Sequence, residues 1–182
     1  VKSFALDETN AEFLPYVQLD YKVSLSEIDY EIVENDTSLN ALILDKYYKD
    51  QTHFNYLNMG SVWDTTKGKK TNGERVRVAI IDSGIDTDHV EFYTSSGASV
   101  ISSLSYNASE DKVVSEAGLS VIEDTQGHGT AVAGVIASQI NLKGVVGIAP
   151  DVELLIIKCN VDANGVFVSS ADIVHAINYA VE

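Results

Sequence analysis

The sequence predicts an α/β domain whose parallel sheet is covered by helices on both faces. Two apolar runs rich in β-branched residues, "VRVAII" (76–81) and "VELLIIKC" (152–159), read as strands. Two further stretches carry helix signals, "HGTAVAGVIAS" (128–138) and "SSADIVHAINYAVE" (169–182). Strand, helix, strand and helix in that order, with strands apolar throughout rather than alternating, is the pattern of a sheet buried on both sides.

The elements follow along the chain. From Val23 to Ile32 apolar and polar residues alternate, as in a half-buried strand. Leu39, Leu42, Ile43 and Tyr47 then fall at helical spacing, with Ser38 as a candidate N-cap. "TTKGKKTNGE" (65–74) is basic and glycine-containing and reads as a surface connection. The run 76–81 ends in Asp82-Ser83-Gly84, a strand followed by a turn. Ligand chemistry in parallel sheets lies at the carboxyl ends of the strands, where Asp82 is expected to stand. The stretch 128–138 is rich in small residues and long enough for a buried helix. The last element has Ser169 and Ser170 as cap candidates and Ile173, Ala176, Ile177 and Ala180 at helical spacing.

Composition narrows the class. The chain has 182 residues, 45% of them hydrophobic, which suits one domain or most of one with a sizeable core. A formal charge of −15 argues against nucleic acid and anionic membrane as partners and fits tolerance of cations such as calcium. No stretch approaches the roughly 18 apolar residues of a membrane span. The one cysteine, Cys159, excludes an intrachain disulfide and sits in an apolar run as a core thiol. The chain opens at Val1 with neither a methionine nor a signal-type apolar region, and so reads as a processed product or an expressed fragment.

Two residues carry chemistry. A carboxylate at the end of a buried strand is poorly solvated and needs a partner to stay ionised. An imidazole N–H is a good one. A histidine held that way has its tautomer fixed and its other nitrogen free to take a proton from a hydroxyl. His128, between Gly127 and Gly129, is the candidate. The glycines let backbone and substrate come close, while Ala133 and Gly134 let the helix pack tightly on the sheet.

"VAIIDSGID" (78–86), "GHGTAVAGVIA" (127–137) and "GVVGIAP" (144–150) together resemble the Asp and His motifs, and the turn that follows them, of the subtilisin-like (subtilase) serine proteases. The resemblance runs from about Trp63 to the C-terminus. It implies a serine endopeptidase with a triad in the order Asp, His, Ser, which is the order of subtilisin itself. Asp82 would orient the histidine and His128 would be the general acid and base. It also implies a peptide or protein substrate, no cofactor required for catalysis, an autoprocessed zymogen and a secreted or cell-surface location. On this reading residues 1–48 are an N-terminal extension or propeptide remnant, and 49–182 are the N-terminal half of the peptidase domain.

The same resemblance places Asp124 on the wall of the substrate cleft. Gly165, Val166, Phe167 and Val168 would form an edge segment that pairs with extended substrate. Glu91 and Asn141 fall where family members hold a structural calcium, a cation that suits oxygen ligands, although Lys143 brings an unwelcome charge. The sequence also departs from the family. Ala131 stands where a second histidine is usual. The 182 residues contain no G-T-S-x-A-x-P nucleophile segment and no later oxyanion-stabilising asparagine. Ser83 matches an ordinary family residue, and Ser169 and Ser170 read as a cap, so none replaces the nucleophile. The fold is therefore expected to be incomplete in this chain. The expected partner is the C-terminal remainder of the same protease, and the helix ending at Glu182 without a glycine or proline stop fits a cut chain. The alternative is a non-catalytic pseudoprotease that keeps the fold as a binding module. A metal hydrolase built on Asp82 and His128 lacks further ligands at suitable spacing. His53, His89 and His175 receive no role.

Overall fold

The computed structural model describes residues 43–162, 167 and 169–182. The strand expected over Val23–Ile32, the helical positions Leu39 and Leu42, and Gly165, Val166 and Val168 lie outside the described residues. In chain order the elements are the short helices α1 (His53–Tyr56) and α2 (Met59–Thr65), strand β1 (Arg77–Asp82), strands β2 (Tyr106–Asn107) and β3 (Lys112–Val113), helix α3 (Val114–Ala117), helix α4 (His128–Ala137), strand β4 (Glu153–Lys158) and helix α5 (Ser170–Val181).

The four strands described form one sheet in the order β1-β4-β2-β3. β1 runs parallel to β4, from Arg77 opposite Glu153 to Asp82 opposite Lys158. β2 continues the parallel sheet on the other side of β4, and β3 adds a short antiparallel strand beyond it. Helices cover both faces. Ile80, Leu154 and Ile156 pack with Ala133 and Ala137 of α4, together with Ile85, Phe92, Val100 and Ile122. Leu155 and Ile157 face the other way and pack with Tyr106, Cys159 and Ala176 of α5. This two-sided burial is why β4 reads as a continuous apolar run: each neighbouring residue enters a different core.

Small residues set how closely α4 approaches. Gly129, Ala133 and Ala137 recur every fourth position and form its buried face. α5 begins as its sequence suggests, with the Ser169 hydroxyl accepting from the Asp172 N–H at 3.2 Å.

The helical spacing through Ile43 and Tyr47 does not become a helix in its described part. Lys46 N–H donates to the Lys143 carbonyl at 2.7 Å and Tyr47 N–H to the Gly144 carbonyl at 2.8 Å, so these donors are taken by a distant loop. Only a 3-10 turn, Tyr48–Asp50, follows. Ile43 and Tyr48, N-terminal to the expected boundary at residue 48, join Phe54, Met59, Trp63 and Val146 in a separate aromatic core.

Candidate active site

β1 delivers Asp82 to the carboxyl end of the sheet, and α4 starts with His128 directly opposite. The turn into α4 needs Gly127, whose φ is +86°, a backbone conformation that a Cβ disfavours. The imidazole Nδ1 lies 2.8 Å from Asp82 Oδ1 and 2.9 Å from Oδ2. Asp82 Oδ1 also accepts from the Ser83 N–H at 2.7 Å. Asp82 is largely enclosed, with its side chain 15% exposed, whereas the His128 side chain is 73% exposed. Nδ1 therefore carries the proton donated to Asp82, and Nε2 is left free on the open side. The hydrogen bond that the ring donates to Asp82, then the Asp82 charge, then the charge of Asp124 hold the imidazole pKa above its ordinary value.

The backbone beside His128 fits closely. Gly129 N–H donates to Ser83 Oγ at 3.0 Å. A Cβ on Gly129 would stand 2.2 Å from the Gly84 carbonyl oxygen. Ser83 is thus a buried anchor for α4, and Ser169 is a helix cap. Lys158, opposite Asp82 in the sheet, reaches the Glu123 carbonyl with its ammonium at 2.5 Å.

Asp124 stands in the loop that leads into His128, and its carboxylate accepts four hydrogen bonds from the protein. Oδ1 takes the Gln126 and Gly127 N–H groups, and Oδ2 takes both the N–H and the hydroxyl of Thr130. Partial burial pushes its pKa up, but these hydrogen bonds prevail and hold it down at about 2. Of the expected substrate-pairing segment only Phe167 is described; it is exposed and makes an isolated bridge to Val161.

Glu91 and Asn141 come together away from this pair, and they bring a residue that sequence reasoning missed. Asp45 is buried beside them, its Oδ1 accepting from the Asn141 N–H at 3.0 Å and the Lys143 N–H at 3.3 Å. Glu91 Oε1 accepts from the Val145 N–H at 3.1 Å. Asp45 Oδ2 and Glu91 Oε2 are both buried with no hydrogen-bond partner. Burial first, and then the Asp45 charge, raise the Glu91 pKa against the Val145 hydrogen bond. The backbone of Lys143, itself an exposed residue, is what faces Asp45. Two buried carboxylates with orphaned oxygens and an amide oxygen form a donor set suited to a hard cation. Asp45 and Asn141 are 96 residues apart, and no local pattern links them.

Comparison with known proteins places the chain in a family. The family described as "Subtilase family" matches residues 73–182. An intracellular serine protease of Paenibacillus polymyxa is 30% identical over 156 residues, covering 85% of this chain and 40% of that protein. Subtilisin DY of Bacillus licheniformis is 38% identical over 95 residues, 52% of this chain and 29% of its own length. Among solved structures, that of proteases from Pseudoalteromonas arctica superposes with a TM-score of 0.54 at 24% identity, over 74% of this chain and 42% of the other, and supports the fold. The chain spans about two fifths or less of the length of these curated relatives. Since the family match covers well over half of its residues, the chain belongs to the subtilase family.

Proposed function

We propose that this chain supplies the aspartate and histidine of a serine endopeptidase. The observation that carries the reading is the Asp82–His128 contact, in which one ring nitrogen is held by a carboxylate and the other faces the open side. Nε2 takes the proton of a serine hydroxyl as its oxygen attacks a peptide carbonyl. The resulting imidazolium, stabilised by Asp82, returns that proton to the leaving amine. Water then hydrolyses the acyl-enzyme by the same proton path in reverse.

The serine and the oxyanion donor belong, in this proposal, to a segment outside the 182 residues, the C-terminal remainder of the same protease. Two surfaces support this. Among the described residues β1 is a sheet edge, paired on one side only. α5 leaves Val174, Ile177 and Val181 exposed at positions i, i+3 and i+7. An apolar stripe beside an open strand edge is a surface for more of the same domain. Substrate would lie extended along the segment that includes Phe167, with Asp124 bordering the cleft.

A calcium ion bound by Asp45, Glu91 and Asn141 would be structural. It would neutralise two buried carboxylates and fix the 141–145 loop against Asp45, and it has no part in proton transfer. The resemblance implies a secreted or cell-surface enzyme, whereas two relatives are intracellular proteases by name. Fractionation of the source cells decides between these compartments.

The test is reconstitution. Residues 1–182 alone should show no peptidase activity. Mixed or co-expressed with the remainder, they should form a stoichiometric complex that labels with a serine-directed phosphonate on the other part. A complex that assembles but neither cleaves peptide nor labels would make the chain a binding module. Labelling within residues 1–182 would misplace the nucleophile.

A further inference from the structure

His128 is an exposed side chain on the first residue of a helix, so packing does little to hold it. Its direction depends on where the first turn of α4 is fixed. Gly127, at the N-cap position, has no side chain with which to cap that turn. Asp124 supplies the missing acceptors from outside the helix. Its Oδ1 accepts from Gln126 N–H and Gly127 N–H, each at 2.9 Å. Its Oδ2 accepts from Thr130 N–H at 2.9 Å and from the Thr130 hydroxyl at 2.7 Å. The same Thr130 oxygen accepts from Asp86 N–H at 2.8 Å, and Asp124 N–H donates to the Ile85 carbonyl at 3.0 Å. Ile85 and Asp86 belong to the turn that leaves Asp82.

These bonds close a loop of contacts around the catalytic pair. The residue after His128 is tied to Ser83, and the next, Thr130, is tied to Asp86 and Asp124. The residue before His128 is tied to Asp124 as well. Hydrogen bonds to an ionised carboxylate are stronger than those between neutral groups. The carboxylates that act on the imidazole are Asp82 from β1 and Asp124 from the loop, and both favour its protonated form.

We propose that Asp124 is a positioning residue of the Asp82–His128 pair: it locks the first turn of α4 to the turn after β1 and sets a second negative charge beside the imidazole. This rests on the peptidase reading above, and it gives Asp124 a task different from contact with substrate. An amide at this position accepts with only one of its two terminal atoms, so Asp124→Asn must lose part of the clamp. Thr130→Val removes the bridging hydroxyl and leaves the charge in place. Thr130→Ser keeps both.

The test uses the complete protease and a peptide substrate. Asp124→Asn should lower kcat by about ten- to a hundredfold, the scale expected for sub-ångström to 1 Å misplacement, with KM changed less than about twofold. The acid limb of its kcat/KM profile should move to lower pH, because the imidazolium loses a neighbouring negative charge. NMR titration of the His128 ring should show the same displacement. Thr130→Val should lower kcat without moving the acid limb, and Thr130→Ser should restore it. A higher KM with unchanged kcat and pH profile would make Asp124 a substrate contact and overturn the proposal, as would an Asp124→Asn enzyme identical to wild type. If Asp124→Asn does not fold, Thr130→Val decides: unchanged kcat overturns the clamp. Failure of the peptidase reading itself would show separately, as an assembled wild-type complex that neither cleaves the peptide nor labels.

Discussion

Gly129→Ala probes how tightly the two halves of the Asp82–His128 pair are joined. A Cβ at this position would stand 2.2 Å from the Gly84 carbonyl oxygen, 3.1 Å from Gly84 N and 3.2 Å from Asp82 Cβ. Ordinary contact begins near 3.4 Å, so helix and turn must separate by about 1 Å. The turn cannot simply yield. Gly84 has a φ of +117°, and a Cβ there would itself lie 2.4 Å from the Ile122 carbonyl oxygen. Overpacking against backbone costs about 3 kcal/mol, offset by at most about 1 kcal/mol of helix propensity gained by alanine. The net loss is about 2 kcal/mol, or roughly 4–8 °C in Tm for a domain of this size. The same displacement moves His128 relative to Asp82, and about 1 Å of misplacement lowers kcat by about a hundredfold. Gly134→Ala in the same helix is the control, since its Cβ would meet nothing closer than Ser138 Oγ at 3.4 Å. That variant should be neutral or more stable by up to about 1 kcal/mol. Thermal melts and peptide hydrolysis on both variants of the complete protease give the comparison. If Gly129→Ala is as stable and as active as Gly134→Ala, the close approach of α4 to the strand end does not position the histidine.

Asp82→Asn should keep the fold and lower kcat by about 10⁴-fold, the scale of this change in a serine protease triad, and less than loss of the histidine, which costs about 10⁶-fold in subtilisin, a member of this family. In the wild type the acid limb of activity should lie above the ordinary imidazole pKa of 6.5, because Asp82 raises it and the base works only when neutral; a limb below that value would contradict the contact. The folded pKa of Asp124, about 2, lies below its ordinary 3.8, so its contribution to stability is present above about 3.8 and lost as pH falls towards 2. Urea unfolding across that range should therefore be steeper in pH for the wild type than for Asp124→Asn. A calcium chelator should lower the Tm of the protease, added calcium should restore it, and Asp45→Asn should abolish the response; a melting point indifferent to both reagents would remove calcium from the account.

What the sequence shows and what it conceals differ in range along the chain. β1, β4, α4 and α5 are legible because their signals are local: unbroken apolar runs, a ladder of small residues, a serine cap. Asp82 and His128 are legible because each sits in a distinctive short motif at a strand end or helix start. The aromatic core is not. α1 and α2 are too short to show a period, and they are held by distant partners. Trp63 donates to the Ile148 carbonyl at 2.8 Å, and Gln51 brackets Val146 with two bonds of 2.8 Å. β2 and β3, two residues each, are likewise below the length at which alternation can be seen. Asp45 is invisible as a carboxylate partner of Glu91 until the chain folds. Asp124 was visible as a residue, but its four internal hydrogen bonds depend on Thr130 and on the turn into α4, and neither geometry is written in spacing.

The most direct test of the central claim is the turnover of His128→Ala in the complete protease, measured with a peptide substrate alongside its melting temperature. The exposed ring contributes little to packing, so the variant should melt close to the wild type. As the general base it should be indispensable, with kcat lowered by about 10⁶-fold, the loss known for this residue in subtilisin. A folded variant that keeps more than about a tenth of wild-type activity would contradict the assignment of His128 as the base.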